Sequence, residues 1–390
     1  MIHRLINPSK NSSIFVFGAR GTGKSTFISD QFLPSIDQSY LYYDLLDDAV
    51  EERLVRNPQV IETDLVESGS RPKWIIIDEV QKIPRLLDVV HRLIEKQKIK
   101  FVLSGSSARK LKKDGANLLG GRAFEYRLFS LSSFELASKF NLDEALKFGT
   151  LPSLLNFEND EDKVKYLRSY LSTYIVVEIQ MEQIVRRLDP FRQFLEVAAQ
   201  MNGKPLNYSK ISREVGADTK TIIKYYQILE ETYLGFILPG FHTSLRKSLL
   251  LTPKFYFFDL GVKRALEKSL SSIPIAKTSY YGELFESFVI SEFYKLNQYL
   301  EADFSLSYFS TKEGAEVDLV LSRGKKECLF IEIKSSTKVE VSEVNKLASL
   351  VQKTNYQPYY LSQDPHPQSI NGVKCLHWQE GLKSIFSIKT

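Results

Sequence analysis

One octapeptide constrains this chain more than any other feature, because residues 18–25 have the sequence Gly-Ala-Arg-Gly-Thr-Gly-Lys-Ser. It follows the apolar run Ile14–Phe17 and precedes an apolar-rich stretch from Thr26, which gives the order strand, glycine loop, helix. Glycines let backbone N–H groups approach phosphate oxygens without a Cβ in the way, and the next helix directs its positive N-terminus at the same place. Motif and context together predict a nucleoside-triphosphate site and not a simple glycine-rich turn.

Individual residues of this loop have predicted roles. We expect Lys24 to reach the terminal phosphates and the Ser25 hydroxyl to ligate Mg²⁺, with ATP as the nucleotide. The predicted nucleotide-binding residues are Gly18, Ala19, Arg20, Gly21, Thr22, Gly23, Lys24, Ser25 and Thr26.

An acidic pair, Asp78 and Glu79, follows the apolar run Trp74–Ile77. A continuous apolar run is typical of a parallel strand that is covered on both faces. Asp78 would hold the Mg²⁺ through its water shell, and Glu79 would polarise the water that attacks ATP. The pair therefore predicts ATP hydrolysis and argues against a small-molecule kinase. A solvated acidic loop is the alternative interpretation.

Two further polar residues are candidates for sensing the γ-phosphate. Ser104 follows the apolar strand Phe101–Leu103, although a plain Ser/Gly turn explains this segment nearly as well. Arg122 lies behind two glycines at the entrance to the strand Ala123–Leu128. Its position suits an arginine finger or a γ-phosphate sensor, and an ordinary surface arginine equally.

The middle of the chain is predicted to be helical from Leu131 to about Asp189, and beyond Pro190 its pattern changes. A short helix, a glycine turn and a longer helix then have the order of a helix-turn-helix, and two apolar strands would add a wing. These elements are Tyr208–Val215, the turn Gly216–Asp218, Thr219–Leu229, Phe236–Leu238 and Lys254–Phe258.

The longer helix is expected to bury one face and expose the other. The predicted buried residues are Ile222, Ile223, Tyr226 and Leu229, and the predicted outward residues are Lys220, Thr221, Lys224 and Tyr225. The predicted DNA contacts are Lys220, Thr221, Lys224 and, at the tip of the wing, Arg246 and Lys247. Phosphate contacts of this kind position a protein without reading the base sequence. The alternative is a winged helix that serves only as packing between two domains.

A second group of charged residues lies in the last third of the chain. We expect a helix at Tyr281–Phe293, three strands, a further helix from about Val341 and a strand at Tyr356–Leu361. Glu332 and Lys334 are two residues apart on one of these strands, so both side chains point to the same face.

Asp318 on the preceding strand and Glu286 on the helix can join Glu332 as ligands for Mg²⁺ or Mn²⁺, with Glu283 in reserve. Such a cation would polarise a scissile phosphate and lower the pKa of a bound water, which Lys334 would help to orient or activate. Two alternatives remain, a metal- or DNA-binding relic that does not cut and an unrelated set of surface charges.

Several of these segments resemble the AAA-type ATPases of bacteria and archaea that carry a C-terminal domain similar to restriction endonucleases. The segments are Gly18–Ser25, Asp78–Pro84, Leu103–Ser107, Gly121–Arg122 and Leu128–Leu136. The resemblance covers nearly the whole chain, implies a nucleotide role for Arg122 in cis or in trans, and matches the acidic set with its lysine residue by residue. That set is Glu286, Asp318, Glu332 and Lys334.

The resemblance implies an α/β fold with four parts. They are a P-loop ATPase core at residues 1–130, a helical lid at 131–189, a winged-helix module at 190–277 and a PD-(D/E)xK nuclease-like domain at 278–390. A ring or dimer of such chains would place Arg122 against a neighbour's ATP, whereas a monomeric switch would use it in cis.

Composition and charge indicate which partners and which cellular compartment suit this chain. The net charge of +5 permits a nucleic-acid partner without requiring one. Two distant cysteines, Cys328 and Cys375, suggest reduced core thiols in a cytoplasmic protein, and no apolar run approaches the ~18 residues of a membrane span. The sequence favours a DNA-acting ATPase with a C-terminal nuclease-like domain. A nucleotide-controlled switch with a silent nuclease fold is the alternative.

Overall fold

The computed structural model describes residues 2–36, 38–69, 72–109, 111, 119–175, 188–244, 248, 251–311, 313–324, 327–352 and 354–388. The chain divides into two compact units. The first unit consists of Met1–Leu131, Leu151–Ser153 and Gln227–Leu234. The second consists of Ser132–Thr150, Leu154–Tyr226 and Gly235–Thr390.

The first unit is built on a parallel five-stranded sheet with the strand order β2-β3-β4-β1-β5. The strands are β1 (Ser13–Phe17), β2 (Tyr40–Asp44), β3 (Trp74–Asp78), β4 (Lys100–Gly105) and β5 (Ala123–Arg127). All residues of β1 and β3 are buried, as their continuous apolar sequences predict. The strands predicted at Ile14–Phe17, Trp74–Ile77, Phe101–Leu103 and Ala123–Leu128 are confirmed.

Helices pack apolar side chains against this sheet. Their bounds are Lys24–Phe27, Leu33–Ile36, Asp48–Arg56, Val60–Glu67 and Leu86–Gln97, and the π-helical turn Ile28–Phe32 joins the first two. The helix Leu86–Gln97 shows the cause of this packing most clearly, because its buried residues recur at helical spacing along one face. They join the strands' side chains in one apolar core.

The topology of this sheet decides where functional residues meet. Because the strands are parallel, the carboxyl ends of β1, β3 and β4 lie at one edge of the sheet. The glycine loop follows β1, the acidic pair follows β3, and Ser104 lies near the end of β4, which pairs with both other strands. Candidate groups that are distant in the sequence are thus brought to one edge.

The second unit contains the remaining helices and two sheets. Its helices are Ser133–Leu136, Leu142–Phe148, Asp160–Tyr170, Leu188–Gln200, Tyr208–Val215, Leu260–Leu266, Ser279–Tyr299, Val341–Val351 and Trp378–Phe386. The helix Thr219–Glu231 begins in this unit. The strands are β6 (Gly235–Leu238), β7 (Lys254–Phe257), β8 (Ser305–Ser310), β9 (Glu316–Arg323), β10 (Glu327–Ile333), β11 (Gln357–Ser362), β12 (Gln368–Ile370) and β13 (Val373–His377).

Strands β6 and β7 pair antiparallel, and the other six form a mixed sheet with the order β12-β13-β11-β10-β9-β8. The predicted succession of a helix, three strands, a helix and a strand is confirmed from Ser279 to Ser362. Strands β12 and β13 and the last helix, Trp378–Phe386, were not predicted from the sequence. Both cysteines are free and buried, as expected, and both belong to the apolar core beside this sheet.

One prediction about the helix Thr219–Glu231 is wrong. Tyr225 was expected to face out, but only 6% of it is exposed, whereas the predicted core residue Ile223 is 38% exposed. The aromatic ring of Tyr225 packs against the rings of Phe191 and Phe194, with centroids 4.9 and 5.1 Å away. A helical stripe through Ile222 therefore continues through position 225, because neighbours on one face are three or four residues apart.

No helix in the described part of the chain combines the length and the apolar character that a membrane crossing requires.

Candidate functional site

The glycine loop after β1 is folded around its own lysine. Gly21 and Gly23 have φ angles of 78° and 87°, a left-handed conformation that favours glycine. Lys24 is buried, and its Nζ donates to the carbonyl oxygens of Gly18 at 2.9 Å and Ala19 at 3.4 Å. A Cβ at Gly18 would lie 2.1 Å from the Leu128 carbonyl oxygen, so the backbone approaches too closely there for a larger residue.

The other predicted loop residues differ in their exposure. The side chains of Arg20, Ser25 and Thr26 are exposed, whereas Thr22 is buried and its hydroxyl donates to the Ala19 carbonyl oxygen at 2.8 Å. Ser25 and Thr26 lie in the first turn of a helix whose N-terminus faces the loop. A helix N-terminus with exposed hydroxyl groups can bind an anion and a hard cation.

A hydrogen-bond network joins the ends of β3 and β4. The buried Ser104 hydroxyl donates to Asp78 Oδ1 and accepts the backbone N–H of Glu79 at 3.1 Å. Lys24 Nζ lies 4.0 Å from Glu79 Oε1, so the loop lysine and the acidic pair meet at the predicted edge. The predicted role of Ser104 in sensing the γ-phosphate stays a prediction, and its hydroxyl contacts both acidic residues.

Glu79 has an uncommon backbone conformation. Its φ of 60° is left-handed, which costs a non-glycine residue on the order of 1–3 kcal/mol and is typical of functional sites. Its carboxylate accepts hydrogen bonds from Gln81 Nε2 and from the Ser106 hydroxyl at 3.4 Å. The strained backbone and these two donors together fix the direction of the Glu79 carboxylate.

Sequence reasoning missed two residues that support this site. The Tyr42 hydroxyl on β2 donates to Asp78 Oδ2 at 3.0 Å, and burial together with the Asp78 charge raises the pKa of Tyr42, which keeps the phenol protonated. The buried Arg4 guanidinium donates to the Thr22 carbonyl oxygen in the glycine loop and to the Phe129 carbonyl oxygen, both at 2.7 Å. Tyr42 could have been found from the sequence, because it lies in the strand-like run Tyr40–Tyr43 that ends at the acidic residue Asp44. No sequence pattern marks Arg4.

Arg122 lies on the surface of the first unit. Its guanidinium forms an ion pair with Glu95 and donates to the carbonyl oxygens of Leu119 and Gly120 at 3.3 and 3.4 Å. The ion pair lowers the pKa of Glu95. Arg122 is not among the residues that the network of Asp78 and Glu79 brings together, and its role toward a nucleotide stays a prediction.

In the second unit, three elements carry the predicted acidic set, and its lysine contacts two of the three carboxylates. Asp318 lies on β9, Glu332 on the neighbouring β10 and Glu286 on the helix Ser279–Tyr299. Lys334, just after β10, forms ion pairs with Glu332 and, at 3.5 Å, with Asp318 Oδ2. The backbone N–H of Ile333 donates to the same Asp318 oxygen at 2.8 Å.

The electrostatics of this group follow from burial and from the crowding of like charges. Burial and the Asp318 charge raise the pKa of Glu286 to about 8 and that of Glu332 to about 7. Burial lowers the pKa of Lys334, but the charges of Asp318 and Glu332 outweigh it and hold that pKa above its usual range. Two acidic groups thus resist ionisation beside a permanently charged lysine.

This arrangement bears on the predicted cation site. Among the described residues, no three histidine, cysteine, aspartate or glutamate side chains are grouped closely enough to hold a metal ion. The donor set nevertheless fits a hard cation in kind, because it consists of carboxylates. The reserve ligand Glu283 is directed to Lys204, whose Nζ lies 3.3 Å from its carboxylate. Metal binding at Glu286, Asp318 and Glu332 stays a prediction.

The predicted DNA contacts are only partly described. Lys220 and Lys224 are exposed on the helix Thr219–Glu231. The Thr221 hydroxyl donates to Asp218 at 2.6 Å, so it takes part in capping its own helix. Arg246 and Lys247, at the predicted tip of the wing, lie outside the described residues.

Comparisons with known proteins divide the chain into three matched segments. An AAA domain family matches residues 10–137, a domain of unknown function (DUF8612) matches residues 139–272, and another domain of unknown function (DUF4143) matches residues 281–379. An uncharacterised protein of Haemophilus influenzae is 22% identical over 390 residues, which cover 93% of this chain and 92% of that protein. Two uncharacterised proteins of Methanocaldococcus jannaschii are 22% and 24% identical, over 80% and 85% of this chain and 76% and 77% of theirs.

Solved structures with some similarity include a replication initiator DnaA bound to AMPPCP and single-stranded DNA, which is 15% identical with a TM-score of 0.30. AMPPCP-bound DnaA from Aquifex aeolicus is 14% identical with a TM-score of 0.30, and each covers 57% of this chain and 82% of its own. Sequence identities and TM-scores this low do not support a conclusion about the fold or function of this chain. The AAA-domain match, the parallel sheet and the glycine loop identify residues 10–137 as an AAA-type P-loop ATPase domain.

Proposed function

We propose that this chain binds and hydrolyses ATP and acts on DNA, with a C-terminal restriction-endonuclease-like domain that binds DNA and cuts it in a divalent-cation-dependent step. The observation that best supports ATP hydrolysis is the contact of Ser104 with both Asp78 and Glu79, beside Lys24. Three strand ends thereby present a phosphate-binding lysine, a magnesium-binding carboxylate and a general base together.

Different residues of the first unit would bind the phosphates, hold Mg²⁺ and activate the attacking water. Backbone N–H groups of residues 18–26 and the Lys24 ammonium bind the phosphates, while Ser25 and Asp78 would hold Mg²⁺. That Mg²⁺ would offset charge on the phosphate oxygens. Glu79 orients the attacking water and accepts its proton. Two hydrogen-bond donors hold its carboxylate in a fixed direction for this role. Arg122 would sense or stabilise the γ-phosphate, in cis or from a neighbouring copy.

In the second unit, Glu286, Asp318 and Glu332 would hold Mg²⁺ or Mn²⁺ for phosphodiester cleavage. A cation there supplies polarisation of the scissile phosphate and a water of lowered pKa. Lys334 already contacts two of these carboxylates, so it can orient the nucleophilic water and offset negative charge from the DNA backbone. Two of the three acidic groups have raised pKa values, so a cation competes with protons for them.

The proposed organisation keeps the predicted boundaries. An ATPase core at residues 1–130 is followed by a helical lid at 131–189, a winged helix at 190–277 and the PD-(D/E)xK domain at 278–390. Exposed Lys220 and Lys224 support a DNA contact by the winged helix, to which Arg246 and Lys247 would add. We place this activity in the cytoplasm, where two buried free thiols stay reduced.

A second function is favoured by one specific observation. Among the described residues the carboxylates of the second unit are not grouped for metal binding, and Lys334 pairs with two of them. A nucleotide-controlled switch with a silent nuclease fold would have such a site. Its slow ATPase would gate the binding of a partner.

ATP hydrolysis with and without DNA separates the two functions. A DNA-acting ATPase hydrolyses ATP faster when linear, flapped or four-way DNA is added, and Lys24→Ala removes both basal and stimulated rates. If the basal rate is present but no DNA changes it, the switch is favoured. If the wild type hydrolyses no ATP at all, the ATPase assignment fails.

A further inference from the structure

Two side chains of strand β7 reach Glu286 from outside the predicted acidic set. The Tyr256 hydroxyl donates to Glu286 Oε1 at 3.2 Å, and Lys254 Nζ lies 3.9 Å from the same oxygen. Both residues are buried, and they are two apart on one strand, so their side chains share a face. Strand β7 therefore contacts this carboxylate through two of its side chains.

Strand β7 is fixed at both of its ends. At its start, Lys254 forms an ion pair with Glu316 on β9, and its Nζ lies 4.9 Å from the centre of the Tyr308 ring. At its other end, the Phe257 backbone N–H donates to Asn202 Oδ1 at 2.8 Å. The amide nitrogen of Asn202 in turn donates at 2.9 Å to the hydroxyl of Ser287, the residue that follows Glu286.

The phenol of Tyr256 is suited to hold a carboxylate for a cation. The Tyr256 side chain is buried, and its hydroxyl donates to Glu286 Oε1. A donor to one carboxylate oxygen fixes the direction of the group and leaves the second oxygen for a metal. A quarter of the Glu286 side chain remains exposed.

We propose that Tyr256 is a positioning residue of the C-terminal site, which holds Glu286 in the orientation that a divalent cation needs. The site is then shared between β7 and the segment from Glu286 to Lys334. This inference rests on the proposed cation-dependent function. One consequence is that residues 281–379, the segment matched by a single family, do not contain the whole site.

The test is Mn²⁺ binding to the full chain without DNA, measured by titration calorimetry. Tyr256→Phe keeps the ring and removes only the donor, and it is expected to raise the Kd for Mn²⁺ roughly 10-fold, as loss of an outer partner of a metal ligand does. Tyr226→Phe is the matched control. Tyr226 is also buried, its ring lies 5.1 Å from that of Phe255, and its hydroxyl has no hydrogen-bond partner in the described chain.

A cleavage readout separates positioning from a merely structural role. Tyr256→Phe is expected to lower kcat at fixed Mn²⁺, to leave the KM for DNA unchanged and to recover when Mn²⁺ is raised. Its midpoint of thermal unfolding, measured without Mn²⁺, is compared with that of Tyr226→Phe, so that a loss of stability is told apart from a loss of Mn²⁺ binding.

The outcomes distinguish this inference from the proposed function. If the wild type binds no Mn²⁺, or if Asp318→Ala binds it as well as the wild type, the proposed cation site fails. If Asp318→Ala loses binding while Tyr256→Phe keeps the wild-type Kd, the cation site stands and the positioning role of Tyr256 is overturned.

Discussion

Replacing Ser104 with alanine isolates the network that we propose for ATP hydrolysis. The substitution leaves the Glu79 N–H without its acceptor and removes the donor to Asp78, and an unsatisfied buried group costs roughly 1–3 kcal/mol of folding stability. The substitution also removes the hydroxyl group that contacts both Asp78 and Glu79 in this network. Because a misplacement of about 1 Å at a catalytic group costs on the order of 100-fold, we expect kcat for ATP to fall between roughly 10- and 100-fold.

Ser13→Ala provides a matched control at the other end of the same sheet. Ser13 is also buried, and its hydroxyl accepts the backbone N–H of Phe101 at 3.0 Å, so alanine leaves one buried N–H unsatisfied there as well. Phe101 and Ser104 are three residues apart on β4, a separation of about 10 Å. The stability cost should be similar, again roughly 1–3 kcal/mol, without an effect at the carboxyl edge.

The assay is steady-state hydrolysis at saturating MgATP, with denaturant unfolding of each variant to establish that both are folded. We expect Ser13→Ala to hydrolyse ATP at the wild-type rate and Ser104→Ala to be slowed. Equal rates for the two variants would refute the reasoning, because the network would then contribute stability and no catalysis.

Three further predictions concern the loop, the second unit and the cation. Gly18→Ala should abolish binding of a fluorescent ATP analogue, since its Cβ would lie 2.1 Å from the Leu128 carbonyl oxygen, and retained binding would contradict that close approach. Asp259→Ala should lower the free energy of unfolding by about 3 kcal/mol or more, because buried Asp259 accepts three backbone N–H bonds; urea titration measures this, and a loss below about 1 kcal/mol would contradict it. The Kd for Mn²⁺ should fall as the pH rises from about 6 to about 9, because Glu286 and Glu332 must lose their protons to bind a cation. Their pKa values are about 8 and about 7. A Kd that does not change with pH would contradict this.

The parts of the fold that could be predicted are those that local sequence encodes. Gly18–Ser25 is a contiguous motif, and the apolar runs before Asp78 and Ser104 are long enough to predict buried strands. Parallel pairing then brings the ends of those strands together. Glu332 and Lys334 were predictable as neighbours for the same reason, since strand periodicity alone places them on one face.

Supporting contacts between distant segments could not be predicted in this way. Arg4 binds the carbonyl oxygen of Phe129, which is 125 residues away, and Tyr256 binds Glu286 across 30 residues. Neither contact leaves a periodic pattern, because each depends on how two whole elements pack. The error at Ile223 and Tyr225 has a related cause. Both residues suit a helix interior, and the rings of Phe191 and Phe194, on another helix, pack against Tyr225.

We propose that an ATP site and a cation-dependent DNA site act in one chain. Cleavage of labelled linear, flapped and four-way DNA with Mg²⁺ or Mn²⁺, with and without ATP, by the wild type, Asp318→Ala and Lys24→Ala tests this proposal. We predict cleavage that is lost in Asp318→Ala and that loses its ATP dependence or its rate in Lys24→Ala. Absence of cleavage under all conditions, with DNA still bound in an ATP-dependent way, would contradict the claim and leave the nucleotide-controlled switch.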